Sequence, residues 1–230
     1  AYVTLDGSNS STTDHVTIIS LNNLPHSISL VENNETVYKA HNVYISNIDH
    51  SLNTALPNTT PTLQLIGTNK GSGQFRNYSI NDPRTLSALP TSYTQSESSG
   101  SRPYTHDGAS VLIDDIRKDR DCIAPTASNC SIFIDFNETE MLLWDISDTS
   151  KVTSLGSVSY SNPQYVHSGW SSEDKQYVFL HDELDESRLG LNTTLRIFSI
   201  EDLNDPTLVG EWVGSTRAID HNGFVRGNRY

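Results

Sequence analysis

Four segments of this chain end in the same way. HVTIISLNNLP, QFRNYSINDP, MLLWDISDTS and LRIFSIEDLNDP each close an alternating apolar stretch with Ser or Asp, then Ile or Leu, then a polar turn. Anchored on Leu21, Ile80, Ile146 and Ile200, they lie 59, 66 and 54 residues apart. A second series, AHNVYI, THDGASVLI, VHSGWSSEDKQYVFL and DHNGFV, is led by His41, His106, His167 and His221 at spacings of 65, 61 and 54. Two independent anchors that recur at matching intervals and in one order describe a single supersecondary unit used repeatedly. A repeat of this kind constrains the fold more than any local propensity.

Within a unit the pattern is strand-like. KQYVFLHDE and SIFIDFNE are rich in β-branched and aromatic residues, and Asn-Asp-Pro, Asn-Gly and Ser-Gly clusters punctuate them. No long stretch carries a 3.6-residue period. The expectation is an all-β β-propeller with blades of about four antiparallel strands, an incomplete part of a ring of roughly five to seven blades. The units are expected at 1–25, 38–83, 103–149, 164–203 and, incompletely, 218–230 of one domain. A β-sandwich is the structural alternative, but it would not repeat a fixed His. Two long stretches, SNIDHSLNTALPNTTPTL and PRTLSALPTSYTQSESSGSRP, read as loop insertions between strands or blades.

Charge narrows the partners. With 15 Lys+Arg against 28 Asp+Glu, the formal net charge is −13, which repels phosphate backbones and argues against nucleic acid. No run approaches the roughly 18 consecutive apolar residues of a membrane span. The chain begins at Ala1 with no Met and no signal-like apolar core, which implies a processed chain or a piece of a longer one.

Seven N-x-[ST] sequons, at Asn9, Asn34, Asn58, Asn77, Asn129, Asn137 and Asn192, point to a secreted protein carrying N-linked glycans, the alternative being chance matches in a Ser/Thr/Asn-rich bacterial or cytosolic chain. The two cysteines agree. Cys122 and Cys130 flank Pro125 like the ends of a pinched loop, and a disulfide there contributes about 2–3 kcal/mol. Two free thiols are the alternative, and their spacing does not match a zinc knuckle.

At YTHDGASVLI, YVHSGWSSEDKQYVFLHDELDE, LRIFSIEDLNDPTLVGEW and AIDHNGFVRGNRY the sequence resembles the choice-of-anchor B proteins, secreted or surface-anchored chains built from LVIVD-type propeller repeats. The resemblance is strongest from Arg102 to Tyr230 and fades toward the start. It departs from the family pattern at TTDHVTII and FRNYSINDP, and in the two enlarged loops. It implies a propeller displayed outside the cell and carries over no catalytic residue set. It also places Ala1 inside a unit whose His-led strand is missing and Tyr230 early in another. Further sequence or a neighbouring chain is therefore expected to complete the ring.

In a propeller the first strand of each blade lines the central channel, so His41, His106, His167 and His221 are expected to converge. With Asp107 and Asp220 behind them they could bind a transition metal such as zinc. Alternatively, each imidazole bonds a neighbouring blade's backbone and fixes packing, with Asn42, Asp107, Ser168 and Asn222 making the adjacent turn. The acidic HDELDE, with Asp182, Glu183, Asp185 and Glu186, offers oxygen ligands suited to Ca²⁺, as do Asp114, Asp115, Asp119 and Asp121 in IDDIRKDRD. Neither has EF-hand spacing, which favours solvated loops.

Enzyme motifs are incomplete. GTNKGSGQF lacks the P-loop Gly-Lys-[Ser/Thr], SGWSSE lacks the last glycine of a nucleophile elbow, and no H-E-x-x-H occurs. Two function classes follow. The first is a non-catalytic extracellular module with a structural, surface-assembly or binding role, whose partners are other extracellular proteins or copies of itself in a filament or layer. The second is a metal-dependent hydrolase or lyase built on the His cluster.

Overall fold

The computed structural model describes residues 1–5, 16–34, 39–69, 71–94 and 104–230. The chain is all-β, with 44% strand and 5% helix. The first sheet is β1 (Tyr2–Thr4), β2 (Val16–Ser20) and β3 (Ser29–Asn34), paired in that order. The second begins with β4 (Asn42–Ser46). After a small hairpin of β5 (Ile48–Asp49) and β6 (Thr54–Ala55) it continues through β7 (Thr62–Ile66), β8 (Arg76–Ser79) and β9 (Ser87–Ala88).

The third sheet draws on β10 (Ser92–Thr94), β11 (Asp107–Ile113), β12 (Cys130–Phe136), β13 (Met141–Asp145) and β14 (Lys151–Val158), with the short α1 (Arg117–Arg120) between β11 and β12. The fourth is β15 (Val166–Ser171), β16 (Tyr177–Asp182), β17 (Thr194–Ser199) and β18 (Thr207–Val213), with α2 (Asp185–Leu189) between β16 and β17. Apart from β10, which runs parallel to β14, each is an antiparallel meander, and β4, β11 and β15 occupy the same edge position in their sheets. Those three strands lie side by side, β11 touching both β4 and β15.

The Ser/Asp-Ile/Leu anchors have one physical cause. The residue before each anchor, Ser20, Ser79, Asp145 or Ser199, accepts a hydrogen bond from the backbone N–H two positions on, at Asn22, Asn81, Ser147 or Glu201. In three units an aspartate follows three positions later and repeats the device. Asp82 accepts from Arg84 N, Asp148 from Ser150 N and Asp202 from Asn204 N, each at 2.9 Å. Short polar side chains that satisfy the local backbone halt a strand and turn it, which is why these residue types recur at the ends of β2, β8, β13 and β17.

The sheets stack face to face over three apolar clusters. Val16, Ile18, Leu63, Leu65 and Tyr78 fill the space between the first and second sheets. Between the second and third, Ile66 and Phe75 meet Phe133, Leu142, Trp144 and Ile146. Between the third and fourth, Ile132, Ile134, Phe136, Met141 and Leu143 meet Val166, Val178, Leu180 and Phe198. Successive residues of β12 and β13 thus serve opposite faces, as the two-residue period of a strand requires. Sandwiched between neighbours, both strands are buried along their whole length, which explains their nearly unbroken apolar composition.

Three features differ from the sequence expectations. The outer strands β3, β9, β14 and β18 lie past the expected unit ends; β9 is only two residues long and β18 is largely exposed, while β14, although it buries Val152 and Leu155, is interrupted by Thr, Ser and Gly. Both stretches read as loop insertions contain strand. SNIDHSLNTALPNTTPTL holds the β5–β6 hairpin, and PRTLSALPTSYTQSESSGSRP supplies β9 and β10, the latter running parallel to β14 at the edge of the next sheet.

The sequons also separate. Asn58 and Asn192 are exposed, Asn34 ends β3, and Asn9 lies outside the described residues. Asn77, Asn129 and Asn137 are buried at 2%, 4% and 0% exposure, so the folded chain has no room for a glycan at these three. Their side chains serve the fold instead. Asn77 accepts from Gln64 Nε2, Asn129 donates to Pro57 O, and Asn137 caps the turn at Thr139 and Glu140. The disulfide Cys122–Cys130 is formed.

Candidate functional site

Three of the four histidines stand at the starts of the edge strands β4, β11 and β15, and the fourth lies in the segment after the last strand. His41 and His106 precede β4 and β11, His167 is second in β15, and His221 follows β18. Gly67 makes room for the first: its φ of +60° suits a residue without Cβ, and a Cβ there would lie 2.7 Å from the His41 Cβ. His106 is fixed by its N–H, which donates to Phe136 O at 2.7 Å.

Because the strands are neighbours, the rings form one continuous series. Centroid separations are 4.4 Å for His41–His106, 4.5 Å for His106–His167 and 4.2 Å for His167–His221, with tilts between 41° and 54°. Tyr165 packs edge-on to His106 at 4.9 Å. His106 and His167 are buried, whereas His221 is exposed.

Burial, followed by the neighbouring His106 and His221, lowers the His167 pKa to about 3, so its ring is neutral at physiological pH. His106 Nδ1 lies 3.3 Å from the His167 carbonyl oxygen, and the Ser168 hydroxyl donates to His221 O at 2.5 Å. These contacts join the third sheet to the fourth and the fourth to the segment that follows it. His167 also faces an acid: its Nε2 is 3.7 Å from Glu183 Oε2. One ligand atom each from His167, Glu183 and His221 falls within a sphere of 4.8 Å, a spacing that suits a divalent transition metal.

The other expected ligands divide. Asp107 stays within electrostatic reach of His41 and His221, but it accepts from Asn42 Nδ2 at 2.8 Å and from Gly108 N at 2.7 Å, joining two neighbouring sheets. Burial raises its pKa to about 6. Asp182 is fully buried and already saturated, accepting from the Tyr160 hydroxyl and from the backbone N–H groups of Gln164, Tyr165 and Leu184. It organises the approach to β15 and has no lone pair left for a metal.

HDELDE is therefore neither a solvated loop nor one site. Asp182 is structural, Glu183 faces the histidines, and Asp185 and Glu186 turn inward on α2 to meet Asp220. Asp220 consequently does not back the His series; its Oδ2 lies 3.0 Å from His181 Nδ1. Burial, and then Asp220, raise the Glu186 pKa to about 7.

IDDIRKDRD is paired mostly within itself, with one partner from the fourth sheet. Asp115 binds Arg117, Asp119 binds Lys118, Asp121 binds Arg120, and Asp114 binds Lys175. The buried Arg117 then donates through Nη1 to Lys175 O and Ile200 O, clamping the third unit to the fourth. With cations already on all four aspartates, the segment is a clamp and not a calcium loop.

A groove of about 790 Å³ runs past the other ends of the edge strands. Tyr44, His50, Trp170 and Phe224 form its aromatic floor, with Trp170 at 6.0, 5.8 and 5.1 Å from Tyr44, His50 and Phe224 respectively. Glu173 and Arg226 lie on its rim. Nothing local in the sequence marks this groove, because Tyr44 and Trp170 come from strands of two different sheets while His50 and Phe224 come from a turn and a loop. Only the Gly-Trp and Gly-Phe steps after His167 and His221 hinted at equivalent aromatic positions. No protein-family model matches the chain, and no curated protein matches it.

Proposed function

We propose that the chain is part of an extracellular β-propeller resembling the LVIVD-repeat proteins and that it works as a binding or surface-assembly module. The observation that carries this reading is the unbroken His41–His106–His167–His221 contact series. Equivalent residues meet in this way when equivalent edge strands gather about one axis. The Cys122–Cys130 disulfide supports an oxidising compartment. The groove floored by Tyr44, His50, Trp170 and Phe224 offers aromatic anchors of the kind that dominate recognition surfaces.

Its partners are other extracellular chains or further copies of this one. Sedimentation velocity over a wide concentration range tests the self-assembly form of the reading. Concentration-dependent association that Trp170→Ala and Phe224→Ala weaken supports it, and a monomer at every concentration refutes it. Glycosidase treatment tests secretion: removal of N-glycans lowers the mass through sites such as Asn58 and Asn192, and an unchanged mass ends the glycoprotein reading.

The proximity of His167, Glu183 and His221 favours a second reading, a divalent metal, zinc foremost, serving a hydrolase or lyase. Elemental analysis of the purified protein beside its His106→Ala and His167→Ala variants decides it. Metal that disappears with His167 sustains the reading, and metal-free wild type sinks it.

A further inference from the structure

Asp185, Glu186 and Asp220 are 1%, 1% and 7% exposed, and one carboxylate oxygen from each lies within 4.8 Å of the others. Asp185 and Glu186 stand on α2, which Gly190 ends in a left-handed cap, its N–H donating to Glu186 O at 3.2 Å. Asp220 arrives from the segment that follows β18.

Three buried acids in such proximity repel one another strongly unless positive charge intervenes. The protein supplies little of it. Arg196 Nη2 bonds Asp185 Oδ2 at 2.7 Å, but its Nε is drawn toward Glu211 at 3.6 Å. His181 Nδ1 approaches Asp220 Oδ2 at 3.0 Å without an aligned hydrogen bond. Arg217 donates to the Glu186 backbone carbonyl and not to its carboxylate.

Five carboxylate oxygens, Asp185 Oδ1, Glu186 Oε1 and Oε2, and Asp220 Oδ1 and Oδ2, are buried with no hydrogen-bond partner. Buried polar atoms are nearly always satisfied, and a group of five on one spot marks the place of a ligand. Oxygens bound to one Ca²⁺ at about 2.3–2.6 Å lie at most about 5 Å apart, which is the spacing found here.

We propose that Asp185, Glu186 and Asp220 hold a hard divalent cation, Ca²⁺, that pins α2 to the segment leading into His221. The site is distinct from the histidine-lined group, whose nitrogen ligands suit a softer ion. The ion offsets the acids that Arg196 leaves unpaired, and solvent and backbone carbonyls complete its shell. Since Asp220 directly precedes His221, the bound ion also positions the last ring of the His series.

The test uses the full chain, stripped with EDTA and returned to pH 7.5 at constant ionic strength. With Ca²⁺ at about a hundredfold excess over its Kd, Tm rises by about 5–10 °C, and isothermal titration finds one site per chain. Glu186→Gln and Asp220→Asn preserve shape and relieve repulsion, so each keeps or raises the metal-free Tm and loses the Ca²⁺ response. His167→Ala retains the response.

Absence of Ca²⁺ binding to the wild type overturns the proposal, as does a response that survives in both carboxylate variants. A wild type indifferent to Ca²⁺ but stabilised on acidification to pH 5.5 also overturns it, in favour of carboxyl groups sharing protons. If neither variant folds, the wild-type titration decides: one Ca²⁺ bound with nitrogen-coordinated Zn²⁺ not competing supports the site, and none refutes it.

Discussion

The third and fourth sheets share one plan but not one environment. β12 and β13 of the third are buried from end to end, with a neighbouring sheet on each face. In the fourth, β16 and β17 bury Val178, Leu180 and Phe198 against the third, while β18 leaves Val209, Trp212 and Val213 more than half exposed. The other face of β15 and β16 is touched by the 219–230 segment, through Trp170–Phe224 and Phe179–Tyr230. The same meander can therefore be a core or a surface depending on what stacks against it. Stability should follow the stacking and not the strand count.

Core truncation in the third sheet is the strongest way to break this contrast. Phe133, wholly buried, packs on Phe75 with centroids 4.5 Å apart. Phe133→Ala is expected to cost about 3–5 kcal/mol in urea unfolding. Reducing the Cys122–Cys130 loop, which feeds β12, should cost about 2–3 kcal/mol, read as a shift in the unfolding midpoint with and without dithiothreitol.

A third test turns on Asp135, buried in β12 with Trp144 Nε1 donating to its Oδ2 at 3.0 Å. Burial raises its pKa to about 8, above the unfolded value of 3.8. The folded chain then binds a proton that the unfolded chain has released, so this contribution is full below pH 4 and is lost as pH rises to about 8. The slope is up to about 1.4 kcal/mol per pH unit. Asp135→Asn should flatten the stability profile across that window, and an unchanged slope would place the titration elsewhere.

Turn chemistry gives a smaller, matched pair. Asp148→Ala and Asp202→Ala remove the same cap from equivalent corners of the two sheets, and each should cost about 1 kcal/mol. Unequal losses would show that the corners are equivalent in sequence but not in energy. At the small end, Trp212→Ser on β18 should fall within about 0.5 kcal/mol of wild type. A large loss there would reveal a hidden packing partner.

These contrasts also explain what could be read from the sequence. Ser20, Ser79, Asp145 and Ser199 were legible because each acts on backbone two residues away, a local effect that leaves a local pattern. The histidines were legible because repetition turns one position into a series. SIFIDF and MLLWD were legible as strands, but not that both are buried and that their alternate residues serve two different clusters.

The carboxylate group was opaque because Asp220 meets α2 only after the chain has traversed β17 and β18. One clue was available in Arg196, a charged residue in the otherwise apolar run TLRIF, which needs a buried acid as partner. Burial of Asn77, Asn129 and Asn137 was equally opaque, since a sequon records three residues and nothing of what packs above them. Strand β10 escaped notice because SYT is short and its partner, Lys151–Thr153, is far away and parallel.

That borrowed strand changes how the array should come apart. Stacked repeats behave to a first approximation as a row of units coupled only to their neighbours, free to fray from either end. Here the segment leaving the second unit is woven into the third. Ser92 N–H donates to Ser150 O, and Tyr93 spans the seam with its ring on Trp144 and its hydroxyl on Phe75 O. Peeling the second unit away must strip the rim of the third, so the two melt as one cooperative block and any fraying begins elsewhere.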